Sequence, residues 1–447
     1  MKYLVLIAVL PLLLAWLFPG QVLKLQVAKE LLGWDGLFST AREQIGLRLL
    51  GARETKSRRE LHKLLDLVSK ADLEYCVPTR RVVDESDIAE CHRFLTHLLK
   101  SGLRNYYEMD LDFPHLEPFV EPRTKVLGDN PDALYFGATF SSNHSYLLQG
   151  ELTGEVYFSV TIYENQCVGC FVGRPIADLN FQQLDYNSNK FEIWVARENP
   201  HNFTNFLNLT NLGKDMVPQL ISRHYFENLV PAQLDATITP KLSLRRVDPS
   251  SMTTQRTFPH QIQPLTQSRN DEYSAQQFVY VQNFVRQHSL EMLADPSKAP
   301  SWFSFTPNTF GPPVNFKTEA QGAGAVDVVY SAGPFKFTNP EEQGLLVTGM
   351  LPDCVFANIA LWNKFLQTFA YETGRQVSLN RKQLGSTRSY SILLAKRLPQ
   401  QGLKNGTVWL DSEGRTDGQM FWRFFLVPPG HKVDTPHVEL IPNIDRL

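Results

Sequence analysis

The chain has 447 residues, too many for one ordinary core and enough for two or three domains of usual size. Its 43% hydrophobic and 20% charged content excludes wholesale disorder, and 44 Lys+Arg against 46 Asp+Glu, a net charge of -2, leaves no overall cationic field for nucleic acid. Aromatics at 11% suit strands, and 28 prolines with 26 glycines imply many turns without a collagen-like period.

An apolar run extends from Tyr3 to Phe18, preceded by Lys2. At ~1.5 Å per residue it reaches roughly 24 Å, short of a ~30 Å hydrocarbon core, which fits a secretory signal. Leu17, Phe18, Pro19 and Gly20 offer no small-residue cleavage pattern, however, and a tilted or thinned span tolerates the mismatch. Residues 1–22 are read as a signal anchor, with a cleaved signal peptide as the alternative. The first predicts a single-pass membrane protein with a lumenal or extracellular bulk, the second a secreted one. Sequons at Asn143, Asn202, Asn208 and Asn405 mark candidate glycosylation sites and agree with that compartment.

Residues 23–104 read as a helical segment. Leu23, Leu25, Val27, Leu31 and Leu32 form an apolar stripe, and the basic stretch at 56–60 is a solvated helix face. The clearest helix is Asp87 to Leu103, with Ile88, Cys91, Leu95, Leu98 and Leu99 at helical spacing and Asp87 with Glu90 as a cap. His92 and His97 lie on it as surface or packing residues.

Period-two patterning begins near Leu134. Strands are predicted at 134–140, 146–151, 155–163, 191–197 and 220–226, with Thr153-Gly154 as a hairpin turn between the second and third. They define a first β domain at 105–247. Five cysteines leave at least one thiol without an intrachain partner. Cys167-Val-Gly-Cys170 precedes no helix start and has no second Cys/His pair at finger spacing, so a local disulfide or buried thiols are expected rather than redox or zinc chemistry. Residues 248–325 form a linker containing a helix at 272–293, with Phe278, Val281, Phe284 and Val285 on one side. A second β domain at 326–447 takes strands at 326–330, 344–349, 390–395 and 421–427. The fold class is α+β, mainly β: two sandwich or jelly-roll-like domains with an N-terminal helical segment and a connecting helix.

No serine-hydrolase elbow, HExxH helix, phosphate loop or dinucleotide fingerprint is present, and no cofactor is predicted. Gly128-Asp-Asn-Pro-Asp132 is a polar turn. Asp411 and Glu413 would share a face if the strand continued through them, although Glu413-Gly414 also has the form of a turn. Trp362, Trp409 and Trp422 with Tyr135 and Tyr157 could build a stacking surface, core packing being the plainer reading. Arg375, Asn380 and Arg423 are polar residues in apolar sequence, which must join a network or line a pocket. His431 and His437 stand at a spacing unspecific for metal, and no metal site is predicted.

Gly128-Asp-Asn-Pro-Asp132-Ala-Leu-Tyr135, the strands that follow it, Arg375-Gln-Val-Ser378-Leu-Asn380, Val408-Trp-Leu-Asp411-Ser-Glu-Gly414 and Gly418 through Arg423 stand in one order. This arrangement resembles proteins carrying domain of unknown function 1214, often beside domain 1254, over roughly residues 85–430. The resemblance implies β-rich, sandwich-like domains and carries no activity to transfer.

The expected function is a membrane-associated lumenal or extracellular ligand-binding or accessory protein. Its pocket would be lined by Trp362, Arg375, Asn380, Trp409, Asp411 and Arg423 and take a small molecule or glycan, with no nucleic-acid partner. The alternative is a hydrolase or lyase acting on glycans or other extracellular substrates through Asp411 with Glu413, or Asp129 with Asp132.

Overall fold

The computed structural model describes residues 54–447 except 81, 83, 171–172, 251–269, 293–298, 319–323 and 405. The apolar run, residues 23–53 and Asn405 lie outside the described residues. Among the described residues no helix is long and apolar enough to cross a membrane.

Helix α1 (Lys56–Ala71) runs on into a π-helical stretch at Asp72–Thr79, and α2 (Glu85–Gly102) does the same at Leu103–Tyr107. The α2 cap is Asp84, whose carboxylate accepts the Asp87 N–H at 2.8 Å; the predicted cap residues Asp87 and Glu90 instead sit inside the first turns. A Cys76–Cys91 disulfide joins the end of α1's extension to α2. Leu64, Leu67, Phe94, Leu95 and Leu98 pack with Val281, Phe284 and Val285 of α3 (Asp271–Gln287), so the connecting helix shares the N-terminal helices' core.

The β portion is the same nine-strand pattern built twice. The first copy comprises β1 (Glu117–Val120), β2 (Ala133–Thr139), β3 (Ser145–Glu151), β4 (Tyr157–Asn165), β5 (Pro175–Asn180), β6 (Lys190–Ala196), β7 (Phe206–Asn208), β8 (Val217–Tyr225) and β9 (Lys241–Val247). Its sheets run β1-β2-β8-β4-β5 and β7-β6-β3-β9. The second comprises β10 (Val314–Asn315), β11 (Val328–Lys336), β12 (Gly344–Met350), β13 (Phe356–Trp362), β14 (Ser378–Asn380), β15 (Ser389–Ala395), β16 (Thr407–Asp411), β17 (Asp417–Phe425) and β18 (His437–Ile441). Its sheets run β10-β11-β17-β13-β14 and β16-β15-β12-β18. Strand for strand the orders coincide, down to the single parallel pair in each copy, β6 with β7 and β15 with β16.

Each five-stranded sheet packs one face on its own four-stranded sheet. Leu148, Phe158, Val160, Ile162, Ile193 and Val195 fill the first sandwich, and Leu345, Val347, Ile359, Ile392, Leu394 and Trp422 the second. The other faces of the two five-stranded sheets pack on each other through Tyr157, Tyr225, Phe356, Trp362, Phe421 and Phe425, giving four stacked layers with a central seam. Trp302, Phe303 and Phe316, from the Pro/Gly-rich connection, also pack there.

The Thr153-Gly154 turn does not close a hairpin. Strand β3 pairs with β6 and β9 in the outer sheet, and β4 with β5 and β8 in the inner one. Strand β4 lies between two apolar layers and is buried at nearly every position, whereas β3 leaves Gln149 to Glu151 half-buried. A hairpin would have put both strands in one layer.

Candidate functional site

The seam is lined by alternate residues of the two inner sheets, and the cross-strand register repeats between the copies. In the first, Tyr135, Arg223, Ser159 and Asn180 lie side by side across β2, β8, β4 and β5. In the second, Tyr330, Arg423, Asn358 and Asn380 do so across β11, β17, β13 and β14. Asp132 and Asp327 directly precede β2 and β11.

The contacts across the seam are reciprocal. Asp132 of the first copy accepts hydrogen bonds from Asn358 at 3.0 Å and Asn380 at 3.3 Å of the second. Asp327 of the second accepts from Tyr157 at 2.5 Å and Asn180 at 3.0 Å of the first. This i-to-j, j-to-i exchange is the logic of an isologous dimer interface, carried within one chain. Burial pushes the Asp132 carboxyl up to about 6, against the opposing pull of the Asn358 and Asn380 amides. Burial also raises Asp327, opposed by the Tyr157 hydroxyl.

The Gly128–Asp132 turn is a structural clamp. Gly128 has φ +79, and a Cβ there would stand 2.7 Å from the Trp362 ring. The Trp362 indole N–H donates to the Asp129 carbonyl at 3.0 Å, and an Arg423 Nη2–H donates to the Gly128 carbonyl at 3.0 Å. Asp129 accepts from the Thr368 backbone N–H at 2.8 Å and from its hydroxyl. Nearby, the fully buried Lys125 ammonium donates to the Thr368 and Phe369 carbonyls and pairs with Glu372 at 2.6 Å.

The two arginines differ in what surrounds them. Arg223 donates to the Tyr163 hydroxyl at 2.8 Å and to Thr161 Oγ1 at 3.3 Å. Thr161 stands opposite Ile221 and Tyr163 opposite Gln219; the matching positions in the second copy, opposite Phe421 and Gln419, are Ala360 and Trp362. Neither offers an acceptor oxygen. Arg423 lies 4.6 Å from the Phe421 ring centroid and 5.0 Å from that of Trp362, and its Nη1 is buried without a hydrogen-bond partner among the described residues. The Trp302 indole N–H, whose ring packs on Tyr330 and Phe421, and the Gln419 Oε1 are likewise buried and unpartnered. Two of these three orphan atoms, on Arg423 and Trp302, belong to side chains that pack on the Phe421 ring. Each orphan costs about 1–3 kcal/mol, more for a charged group.

Of the residues predicted to line a pocket, Trp362, Asn380 and Arg423 meet on the seam, and Tyr135 and Tyr157 join them. Arg375, in the loop before β14, pairs with Asp411 at 2.8 Å at the end of β16, and Trp409, also on β16 of the outer sheet, donates its indole N–H to the Ala395 carbonyl, so these three stand apart from the seam. Trp422 faces the second sandwich core. Strand β16 stops at Asp411, and Glu413 has φ 58 in the following turn, so the two carboxylates do not share a strand face. Asp411 instead accepts the Glu413 N–H at 2.7 Å. Cys167 and Cys170 form a local disulfide, and Cys354 is a buried free thiol. Asn143 and Asn202 are exposed, and Asn208 is half-buried with its side-chain oxygen accepting the Thr210 N–H. No group of residues able to hold a metal ion occurs among the described residues.

The partners Arg223, Tyr225, Asp327 and Tyr330 escape a reading that takes the two halves separately. The signal is present as recurrence: Asp132-x-x-Tyr135 and Asp327-x-x-Tyr330, Asn180-x-x-Gln183 and Asn380-x-x-Gln383, Gln219-x-x-x-Arg223 and Gln419-x-x-x-Arg423. The repeated Gln has one job in both, its side-chain oxygen accepting the backbone N–H of the Asn at 2.9 and 2.8 Å.

No family model matches the sequence, and no curated protein matches it. Among solved structures, the chain is similar to an uncharacterised protein from Burkholderia cenocepacia, at a TM-score of 0.66 and 17% identity over 87% of this chain and 98% of that one. The VPA0106 protein from Vibrio parahaemolyticus aligns at a TM-score of 0.46 and 9% identity, over 79% of this chain and 98% of that one. The first likeness establishes that the fold is shared and says nothing of activity.

Proposed function

We propose that the chain is a binding protein whose seam takes a small anionic ligand, one carboxylate or phosphate group seated on Arg423 and an apolar or aromatic body against Phe421, Tyr330 and Trp302. The observation that carries this is the broken symmetry of the two arginines: Arg223 has its acceptors from Thr161 and Tyr163, and Arg423 has Ala360 and Trp362 in their place. A guanidinium whose Nη2 is held by the Gly128 carbonyl and whose Nη1 has no acceptor among the described residues favours an anion in an aromatic surround, and the Trp302 N–H adds a second donor. In this reading Asn380 and Trp362 stand beside Arg423 on the seam, and Arg375, Trp409 and Asp411 form a separate cluster at β16.

The test is a thermal-shift panel of carboxylates, phosphate esters and neutral amides of matched size, run on the wild-type chain and Arg423→Gln. Anionic members should raise Tm in the wild type and lose that effect in the variant; equal responses, or none to any anion, reject the reading.

The compartment is part of the same proposal. The apolar run at 3–18, two disulfides and exposed Asn143 and Asn202 all fit a chain that matures in an oxidising lumen and is held at a membrane or secreted. A shift in mass on endoglycosidase treatment of the chain expressed in a secretory host would support it; an unglycosylated chain with reduced Cys76 and Cys91 would reject it. The resemblance to domain 1214 proteins fits this architecture and remains part of the proposal.

A further inference from the structure

Helix α2 lays one face against the segment Glu121–Lys125. The Lys125 backbone N–H donates to His97 Nδ1 at 3.1 Å, and Lys100, one turn further along α2, donates its ammonium to the Arg123 carbonyl at 3.3 Å. A ring nitrogen that accepts an N–H carries no proton of its own, so neutral His97 has its hydrogen on Nε2. His97 is only 8% exposed, yet Nε2 is not sealed. It has no hydrogen-bond partner among the described residues and stays open to solvent, unlike the enclosed Oε1 of Gln367 beside the same ring. Burial, with the cations of Arg93, Lys125 and Lys100, holds His97 down at about 4, so at neutral pH the ring is an uncharged donor.

The field at that donor is positive. Lys100 and Arg123 are exposed and meet no carboxylate among the described residues. The acids nearby are engaged elsewhere: Glu372 is shared by Arg93 and Lys125, Glu121 takes Arg104, and buried Asp129 takes Thr368.

We infer that this groove is a binding site for a phosphate group, one oxygen accepting the His97 Nε2–H and Lys100 and Arg123 supplying the countercharge. A half-enclosed donor without an acceptor calls for one. The cationic surround makes that acceptor an anion. An imidazole N–H, an ammonium and a guanidinium on different parts of the backbone suit the several oxygens of one tetrahedral group better than the two of a carboxylate. A soluble ester and a lipid headgroup present the same chemistry here. The site shares no residue with the seam and stands independently of the ligand proposed there.

The test uses the full chain with isotope-labelled histidine, the His97 ring signals being assigned by His97→Gln. Inorganic phosphate and glycerol phosphate should shift the Nε2 signal saturably. Acetate should bind about tenfold more weakly, and chloride at matched ionic strength should leave the signal in place. Dihexanoyl phosphatidate separates the sources: binding tighter than that of glycerol phosphate assigns a lipid headgroup, and equal or weaker binding assigns a soluble ester. Lys100→Gln and Arg123→Gln, both at exposed positions, should each weaken phosphate about threefold to tenfold without disturbing the fold. No shift with phosphate or its esters, an equal response to acetate or chloride, or unchanged affinity in both variants would each overturn the inference.

Discussion

Asp132 and Asp327 occupy the same place in the two halves of the molecule, and each lends its carboxylate to the other half. Asp132 receives the amides of Asn358 and Asn380, and Asp327 receives Tyr157 and Asn180. The seam is therefore held by a reciprocal polar exchange set in an aromatic layer, and its pH behaviour follows from those buried groups.

Asp132 and His97 should act on stability with opposite signs. Burial raises Asp132 from 3.8 to about 6, so its contribution is full below about pH 4 and is lost as pH rises through about 6. Burial, with the Arg93 cation, lowers His97 from 6.5 to about 4; its contribution is full above 6.5 and is lost as pH falls through about 4. Each amounts to about 3 kcal/mol at most. Urea unfolding between pH 4 and 6.5 should show a steeper acid loss in Asp132→Asn and a shallower one in His97→Gln, whose amide oxygen can still accept the Lys125 N–H that His97 Nδ1 takes at 3.1 Å.

Gly128 and Gly154 separate backbone strain from collision. Both have positive φ, +79 and +107, but only Gly128 faces a neighbour, Trp362. Gly154→Ala should cost about 1–2 kcal/mol, for the left-handed conformation alone. Gly128→Ala should cost about 1–3 kcal/mol more, for the overpacking against the indole. Denaturant midpoints measure both, and equal costs would mean the indole moves aside freely.

Lys125 should be among the least replaceable charges in the chain. Its ammonium, 4.1 Å from the Tyr371 ring centroid, satisfies two carbonyls and pairs with Glu372. Lys125→Met keeps the volume and leaves those acceptors unmet, so a loss of about 3–5 kcal/mol is expected, read by chemical denaturation.

Trp362→Tyr and Trp362→Phe differ by one hydroxyl. In the first copy the equivalent hydroxyl, on Tyr163, accepts from Arg223. Trp362→Tyr restores that acceptor for Arg423 and should be more stable than Trp362→Phe by about 1–3 kcal/mol. Equal stabilities would mean that Arg423 Nη1 carries no penalty.

The two-sandwich fold could be read from period-two patterning because most strands expose one face or border a layer that does. Strand β13 (Phe356–Trp362) is absent from the predicted strands; it is buried at every position and has no alternation, and unlike the nearly as buried β4 and β8, which carry Ser159, Thr161, Ser222 and Arg223, it has Asn358 as its one polar residue among apolar neighbours. Trp362, Asn380 and Arg423 stood out as polar or aromatic residues in apolar sequence, and the fold brings them together. Arg375, Trp409 and Asp411 share that local signature, yet β16 lies in the outer sheet, a placement that depends on sheet order rather than on neighbouring residues. The other half of the site is written in the sequence only as the recurrence of Asp, Asn, Gln and Arg between the two halves.

The most direct measurement is the ligand-induced change in Tm for the wild-type chain and Arg423→Gln across matched carboxylates, phosphate esters and neutral amides. A seam that receives an anion on Arg423 predicts stabilisation by anionic compounds in the wild type, with affinity about tenfold or more weaker in the variant. Identical profiles for the two proteins, or neutral amides as effective as the anions, would contradict it.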